Sequence, residues 1–394
     1  MNRVAVGLSG GVDSSVAAYL LREQGYDVIG IFMKNWHDDA VIISNECPWV
    51  EDSNDAMLVA EKLGLPFYSV DLSKAYKEQV VNYMFAEYGK GKTPNPDVLC
   101  NREIKFDAFL KFAETLKADF VATGHYCRKG HLIKENKLIY RLLSGLDEEK
   151  DQSYFLCQIS QNQIGKALFP IGHLTKKRVR EIAQEQGFVT AQKKDSQGLC
   201  FVGKVKLPVF LQQQLKSKKG KIIEINKNSN LYKEYFQSQS KCESLLYHSK
   251  KICYRQEDGL CIGYHQGAHF YTVGQRRGLH IGGKIEPLYV IGTDINSNTV
   301  FVGEGKDHSG LWRKALKISP GEINWVRRDM EISEGESMQV KTRIRYRQPF
   351  QKAILTKCDG QFFVLFDKPQ NAVTSGQFVA WYLGHELIGS GVID

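Results

Sequence analysis

The sequence contains no Cys-x-x-Cys pair. Its nine cysteines, at positions 47, 100, 127, 157, 200, 242, 253, 261 and 358, never come closer than eight residues. A zinc ribbon or thioredoxin-type dithiol is therefore excluded, and no other metal-ligand spacing among protein side chains is read. No apolar run approaches the roughly 20 residues that span a bilayer. Met1 to Gly11 passes straight into a strand-like run, without a long apolar core and small-residue cleavage site. The expectation is a cytoplasmic protein with no signal peptide and no membrane partner. An odd cysteine count in such a setting predicts reduced thiols, most of them small buried hydrophobes. No internal repeat or low-complexity tract is present.

What is there is ordinary in bulk and uneven in detail. The chain has 394 residues, 42% hydrophobic and 25% charged, which excludes wholesale disorder. At roughly 150 residues per domain the length predicts two or three domains. The 53 Lys and Arg exceed the 44 Asp and Glu by nine. The basic residues gather at Lys176-Lys177-Arg178-Arg180, at Lys216-Lys218-Lys219-Lys221 and along Lys341-Arg343-Arg345-Arg347. Such clusters suit a polyanion, although each also reads as a solvated face.

Along the first third, strand-like and helical patterns alternate. Strands are predicted over 3–8, 27–33, 66–70 and 120–123, with helices over 14–24, 54–63, 74–88 and 103–116. This alternation predicts a doubly wound parallel α/β sheet over roughly residues 1–140, with ligands at the carboxyl ends of its strands. Residues 141–220 read as mainly helical and basic. Residues 221–265 are polar and weakly periodic, and read as an insertion or long loop. From Phe270 onward, short apolar runs separated by glycine predict an antiparallel barrel or sandwich.

The strongest local signal is Gly7-Leu8-Ser9-Gly10-Gly11-Val12-Asp13-Ser14-Ser15, between the first strand and first helix. A Ser/Gly-rich turn at a helix N-terminus presents backbone N–H groups and a positive dipole end to an anion. Asp13 can cap that helix or hold a phosphate-bound magnesium ion. The segment has neither a Walker A ending nor a Gly-x-Gly-x-x-Gly pattern. It resembles the pyrophosphate loop of the ATP pyrophosphatases, which activate a carbonyl oxygen as its adenylate.

Asn95-Pro96-Asp97-Val98-Leu99-Cys100-Asn101 reads as a rigid loop before the 103–116 helix. It places Cys100 where a helix dipole lowers a thiol pKa, with Asp97 close enough to relay a proton. A buried cysteine beside a capping residue is the equal alternative. In Asp195-Ser196-Gln197-Gly198-Leu199-Cys200-Phe201 a thiol follows a polar glycine loop, suited to a mobile carrier or to an ordinary core cysteine. Thr123-Gly124-His125-Tyr126 follows the fourth strand, at the ligand end of the sheet. Lys150-Asp151-Gln152-Ser153-Tyr154 reads, alone, as a charged turn.

These motifs, with Gly-Gln-Arg-Arg-Gly-Leu at 274–279, occur in an order that closely resembles the tRNA-specific 2-thiouridylases of the MnmA type over nearly the whole chain. The resemblance implies an ATP-pyrophosphatase domain over 1–206, a central domain over 207–286 carrying the 221–265 insertion, and a C-terminal β-barrel over 287–394. It implies ATP and Mg2+ as cofactors, tRNA as substrate and a persulfide donor protein as partner. Gly7, Leu8, Ser9, Gly10, Gly11, Val12, Asp13 and Ser14 would bind the phosphates, with Met33 and Gly124 lining the adenosine pocket. Asn95, Pro96 and Asp97 would meet the target uridine. Cys100 would be the nucleophile and Cys200 the persulfide carrier, and the pair would end the reaction as a disulfide. His125, Lys150, Asp151, Gln152, Arg345, Tyr346 and Gln377 would contact tRNA. In the 340–347 segment a strict alternation predicts Lys341, Arg343, Arg345 and Arg347 on one face, toward phosphates. Cys47, past the second strand, reads as a bystander or an auxiliary thiol. An amide-forming ATP pyrophosphatase shares the first loop without needing either cysteine. Two further readings stay open: a tRNA binder with a vestigial nucleotide site, and an iron–sulfur cluster on gathered thiolates.

Overall fold

The computed structural model describes residues 1–35, 48–195, 207–235 and 241–394. Cys47, Cys200 and the 196–201 segment lie outside the described residues. The Val/Ile/Ala-rich N-terminal runs form β1 Arg3–Gly7 and β2 Asp27–Lys34, buried on both faces as parallel central strands require. With β3 Phe67–Asp71 and β4 Phe120–Ala122 they build most of one sheet. A hairpin follows, β5 Cys127–Lys134 and β6 Lys137–Ser144, and then β7 Ala167–Leu168. The first sheet has five strands in the order β3-β2-β1-β4-β7, all parallel.

Its two faces follow from the period of two along each strand. Val4, Val6 and Val28 pack against helices α1 Val12–Glu23 and α2 Pro48–Lys62. Ala5, Ile29 and Ile31 pack against the helices that run through Ser73–Gly89 and Pro96–Thr115. The doubly wound reading holds, with element ends shifted by a few residues.

Strands β8 Gly220–Glu224, β9 Leu260–His265, β10 Leu288–Asp294 and β11 Thr299–Glu304 form a four-stranded sheet in the order β10-β11-β8-β9. The 221–265 stretch is thus not simply an insertion, because both its ends are strands of this sheet. Its polar middle includes the Lys241–Ser249 helix, which packs on the barrel through Leu245 against Phe363. There Cys242 is joined to Cys358 by a disulfide, with Cα atoms 6.7 Å apart. The general expectation of reduced thiols is corrected at this pair.

The barrel follows: β12 Trp312–Trp325, β13 Ser337–Arg343, β14 Gln351–Cys358, β15 Gln361–Asn371, β16 Phe378–Leu383 and β17 Glu386–Ile393. These six antiparallel strands close through β12–β17 pairing, around Leu316, Val364, Phe366, Val379 and Trp381. The barrel sheet begins at Trp312, while β10 and β11 belong to the sheet of β8 and β9. The β5–β6 hairpin reaches out of the first unit and extends the barrel sheet at β17. One apolar cluster runs from Ala5 and Cys100 through Tyr154 to Phe378 and Leu387, so the parallel sheet and the barrel share a core.

Candidate active site

The chain leaves β1 at Gly7 and turns into α1 through Gly10, whose φ is +70°. A Cβ there would lie 2.2 Å from the carbonyl oxygen of Asp52, so the turn admits only glycine. The N-cap is Gly11, with no side-chain cap. The first N–H groups of a helix have no partner within it, so a bare, glycine-rich start suits an anion. Ser14 Oγ accepts from Ser9 N–H at 3.2 Å and donates to Gly11 O at 3.1 Å, fixing the turn. Leu8 and Val12 are buried and Ser9 is exposed, so the first two contribute backbone rather than side chain. Met33 Cε lies 3.0 Å from where a Gly7 Cβ would stand. Gly124 sits so close to the loop that a Cβ would be 2.7 Å from Asp13 C. Met33 on β2 and Gly124, two residues past β4, therefore flank the cradle. The uncapped, glycine-rich helix start fits the phosphates of a nucleoside triphosphate by its donor chemistry.

Asp13 does not cap α1. Its carboxylate accepts from Tyr126 Oη at 2.7 Å and pairs with Lys176 Nζ at 2.8 Å through both oxygens. Lys176 also pairs with Asp195 at 2.7 Å, and Asp195 further binds Lys150 at 2.8 Å and Arg180 at 2.9 Å. Burial raises the Asp195 carboxyl, but the Lys150 and Lys176 ammonium groups outweigh it and hold that carboxyl far below the usual carboxylate range. Burial, with the Asp13 charge behind it, pushes the Tyr126 phenol well up, so it stays a donor to Asp13.

Sequence reasoning did not single out Lys176, Tyr126 or Asp195 as site residues. The 176–180 cluster, read as one basic patch, divides on the Lys176–Glu185 helix. Lys176 and Arg180, one turn apart, turn to the site, while Arg178 pairs with Glu181 and Glu185. That i,i+4 spacing was the available signal.

The second arm is the Asn95 segment. It is not a loop ahead of a helix at 103. Asn95 Oδ1 accepts from Asp97 N–H and Val98 N–H, Pro96 occupies the first turn, and the helix starts at Pro96. Cys100 opens a π-helical stretch, Cys100–Ala108, and is fully buried. π-Helical geometry is rare and often marks functional positions. Asn101 Nδ2 donates to Asp97 O and to Phe155 O, while its Oδ1 is buried without a hydrogen-bond partner. Two other described thiols in this core, Cys157 and Cys127, are fully buried as well. Burial pushes Cys157 up to about 12 and Cys127 well above its ordinary value.

The barrel closes over this arm. Gln377 Nε2 donates to Thr93 O at 2.7 Å and to Pro94 O at 3.2 Å, just before Asn95. Tyr346 Oη donates to Lys150 O at 3.4 Å, and its ring packs on Phe155 with centroids 4.3 Å apart. Gln152 exchanges two bonds with the Tyr126 backbone. The structure thus brings Asp13, Asn95, Cys100, Lys150, Gln152, Tyr346 and Gln377 around one end of the parallel sheet.

Two expected tRNA contacts are placed differently. His125 is 6% exposed, bonded to Thr123 Oγ1 at 2.7 Å and packed between Phe106 and Phe169. Burial holds its ring neutral. Asp151 is buried too, bonded to Gly145 N–H and Ser153 and ion-paired with Arg343. The alternating row of cations breaks accordingly. Strand β13 ends at Arg343, which turns inward to Asp151. Arg345 lies beyond the strand and donates to the Asn371 and Ala372 carbonyls.

Among the described residues no group of three or more His, Cys, Asp or Glu forms a metal site, and no helix is long and apolar enough to cross a membrane.

Three family models match the chain. One is described as a tRNA methyl transferase HUP domain over residues 2–204, one as a tRNA methyl transferase PRC-barrel domain over 245–304, and one as an aminomethyltransferase beta-barrel domain over 315–393. The chain is 62% identical over 395 residues to a tRNA-specific 2-thiouridylase MnmA of Flavobacterium johnsoniae, covering 100% of both. It is 61% identical to the same-named protein of Christiangramia forsetii, again over 100% of both. For that of Karelsulcia muelleri the identity is 51%, over 100% of this chain and 98% of the relative.

Proposed function

The chain belongs to the tRNA-specific 2-thiouridylase family, and from that premise we propose how its site carries out the reaction. The glycine-rich loop and the α1 N-terminus bind the phosphates of ATP, with Met33 and Gly124 beside the adenosine. A flipped-out wobble uridine lies against Asn95, Pro96 and Asp97, since chemistry on a stacked base is sterically blocked. Its 2-carbonyl oxygen attacks the α-phosphorus, and pyrophosphate leaves. A donor protein loads sulfur onto Cys200 as a persulfide. The terminal sulfur attacks C2 and AMP departs with the former carbonyl oxygen; the Cys100 thiolate then attacks Cys200 Sγ, the persulfide S–S bond breaks, the outer sulfur stays on C2, and a Cys100–Cys200 disulfide remains. A route in which Cys100 first frees sulfide ends at the same disulfide, which an external reductant must reopen. Lys150, Gln152, Arg345, Tyr346 and Gln377 position the tRNA. His125 and Asp151 hold that wall from within.

Asp13 is the carboxylate that would hold a phosphate-bound Mg2+, whose charge would neutralise the departing pyrophosphate. In the present structure Asp13 is neutralised by Lys176 instead. The three-unit organisation belongs to the same proposal, with the barrel unit starting at Trp312 rather than at 287, as do the cytoplasmic setting and the persulfide donor.

What supports this reading most is the 62% identity spanning the whole chain. It favours thiolation over the methyl transfer for which the matching domain families are named, and over an amide-forming ligase. The test is anaerobic: purified protein, unmodified tRNA, ATP, Mg2+ and a persulfide as sulfur donor, with thiolated uridine read by mass spectrometry. The expected result is 2-thiouridine from the wild type and none from Cys100→Ala. Pyrophosphate release that ignores tRNA, with no thiolated base, would move the ligase reading to the front.

A further inference from the structure

Away from the sheet end, the barrel carries a cavity of about 810 Å3 beside Arg345. Its lining includes Trp312, Arg345, Arg347 and Lys368, and among the described residues none that lines it carries a carboxylate. Trp312 opens β12 and keeps 37% of its surface exposed. A tryptophan left that open, on a barrel whose other large rings are mostly buried, presents a flat apolar face to solvent. Arg347 and Lys368, which both line the cavity, are exposed. The floor is rigid. Gln348 Oε1 accepts from Ile344 N–H at 2.8 Å, and its Nε2 donates to Gln370 Oε1 at 2.8 Å. Gln370 Nε2 donates in turn to Lys368 O at 2.7 Å and Gln351 Oε1 at 3.2 Å. Gln370 is 6% exposed, so the relay is a built wall rather than a set of free surface amides.

A flat aromatic face beside cations is the chemistry of a stacked base with its phosphate. The cavity is also linked along the chain to the candidate active site. Asn371, which lines it, lies six residues before Gln377, which holds the 93–94 backbone. Six residues of chain reach at most about 20 Å.

We propose that this cavity is a second nucleotide subsite for the RNA substrate. An unpaired nucleotide near the target uridine stacks its base on Trp312 and sets its phosphate against Arg347 and Lys368. The proposal rests on the reading above that tRNA is the substrate. The second site would divide the work: the Asn95 arm takes the reacting base, and Trp312 fixes the register of the loop that presents it.

The experiment measures Kd for an anticodon stem-loop RNA, and for copies with one abasic nucleotide at each loop position. Trp312→Ala is expected to weaken binding of the intact RNA by about 5- to 150-fold, the range for one lost base stack. Trp312→Phe should restore most of it. On one abasic RNA only, Trp312→Ala should cost nothing further, which identifies the stacked nucleotide. Arg347→Gln with Lys368→Gln should lower the slope of log Kd against log salt by about one to two units. The KM for ATP should stay at the wild-type value in Trp312→Ala, and Trp312→Phe, which keeps a ring packed there, controls for lost stability. Unchanged binding in Trp312→Ala, or a loss equal on every abasic RNA, overturns the subsite. So does a salt effect from the cations with none from Trp312, which reduces the patch to non-specific attraction. Because these are binding measurements, they decide the subsite even if no thiolated base forms in the activity assay.

Discussion

Replacing Lys176 with methionine keeps the aliphatic stem and removes one charge from the centre of the site. Lys176 is 12% exposed, and its ammonium lies 2.8 Å from Asp13 and 2.7 Å from Asp195. An exposed pair contributes about 0–1 kcal/mol, while breaking a fully buried pair costs about 3–5 kcal/mol. The two carboxylates keep 30% and 38% exposure, and Asp195 retains Lys150 and Arg180, so the site lies between these limits. We expect a loss of about 1–2 kcal/mol, which for a domain of this size lowers Tm by about 2–8 °C. The effect on ATP should be larger. Phosphates arriving beside Asp13 add negative charge where Lys176 is the nearest cation to Asp13. A charged hydrogen bond of about 1.5–3 kcal/mol corresponds to about 10- to 150-fold in kcat/KM for ATP. The assay is tRNA-dependent pyrophosphate release across an ATP series, run beside a thermal melt. The double variant Asp13→Asn/Lys176→Met should regain much of the lost Tm, because no uncompensated carboxylate remains at Asp13, while activity stays low. A single variant with wild-type Tm and an ATP kcat/KM within twofold of wild type would refute this account of the site's charge balance.

Further outcomes can be checked on the same preparations. Gly10→Ala forces a Cβ to 2.2 Å from Asp52 O at φ +70°, whereas Gly11→Ala meets only Ser9 Oγ at 3.4 Å. Pyrophosphate release should fall at least tenfold in the first and much less in the second, and equal losses would count against the glycine argument. Asp329 is held down to about 2, chiefly by its bonds from Arg327. An unfolded aspartate titrates near 3.9, so the unfolded state binds more protons in this window. This contribution is complete above about pH 5 and disappears as the pH falls toward 2. The urea-midpoint gap between wild type and Asp329→Asn should therefore be widest near pH 6 and close by about pH 2, and a pH-independent gap would contradict it. The Cys242–Cys358 bond spans 116 residues. Without reductant Tm should exceed that with reductant by several degrees, given the 2–4 kcal/mol typical of disulfides. Cys242→Ser should abolish the difference, and a wild-type Tm that ignores reductant would show that the bond does not contribute.

Where the sequence was legible, the reason was local. β1 and β2 are buried on both faces, so their apolar runs are nearly unbroken, and α1 follows a glycine-rich turn that leaves little else possible. The ends were less legible. The helix that begins at Pro96 looked like a loop because Asn95 and Pro96 are both turn formers, yet Asn95 acts as the N-cap and Pro96 is tolerated in the first turn. The 221–265 stretch looked like a plain insertion because its strands β8 and β9 are short and find their sheet through β11, far along the chain.

The charges show why no local reading could finish the site. Arg343 and Arg345 occupy equivalent steps of one alternating pattern, and only the fold separates them. Asp151, 192 residues away, draws Arg343 into the interior, and the strand ends there. Lys176 looked no different from Lys177 until Asp13, 163 residues earlier, was placed beside it. A period of two or 3.6 tells which way an apolar side chain must turn, because water decides that. It does not tell which way a lysine turns, because a partner decides that, and long basic side chains reach either way. In this chain the motifs gather at the end of the parallel sheet. The cations that set its charge lie outside the Gly7–Ser14 and Asn95–Asn101 motifs, on the 176–185 helix and in the 150–152 turn. Charge exchange at Lys176 and Asp13 therefore probes the folded arrangement rather than the motif.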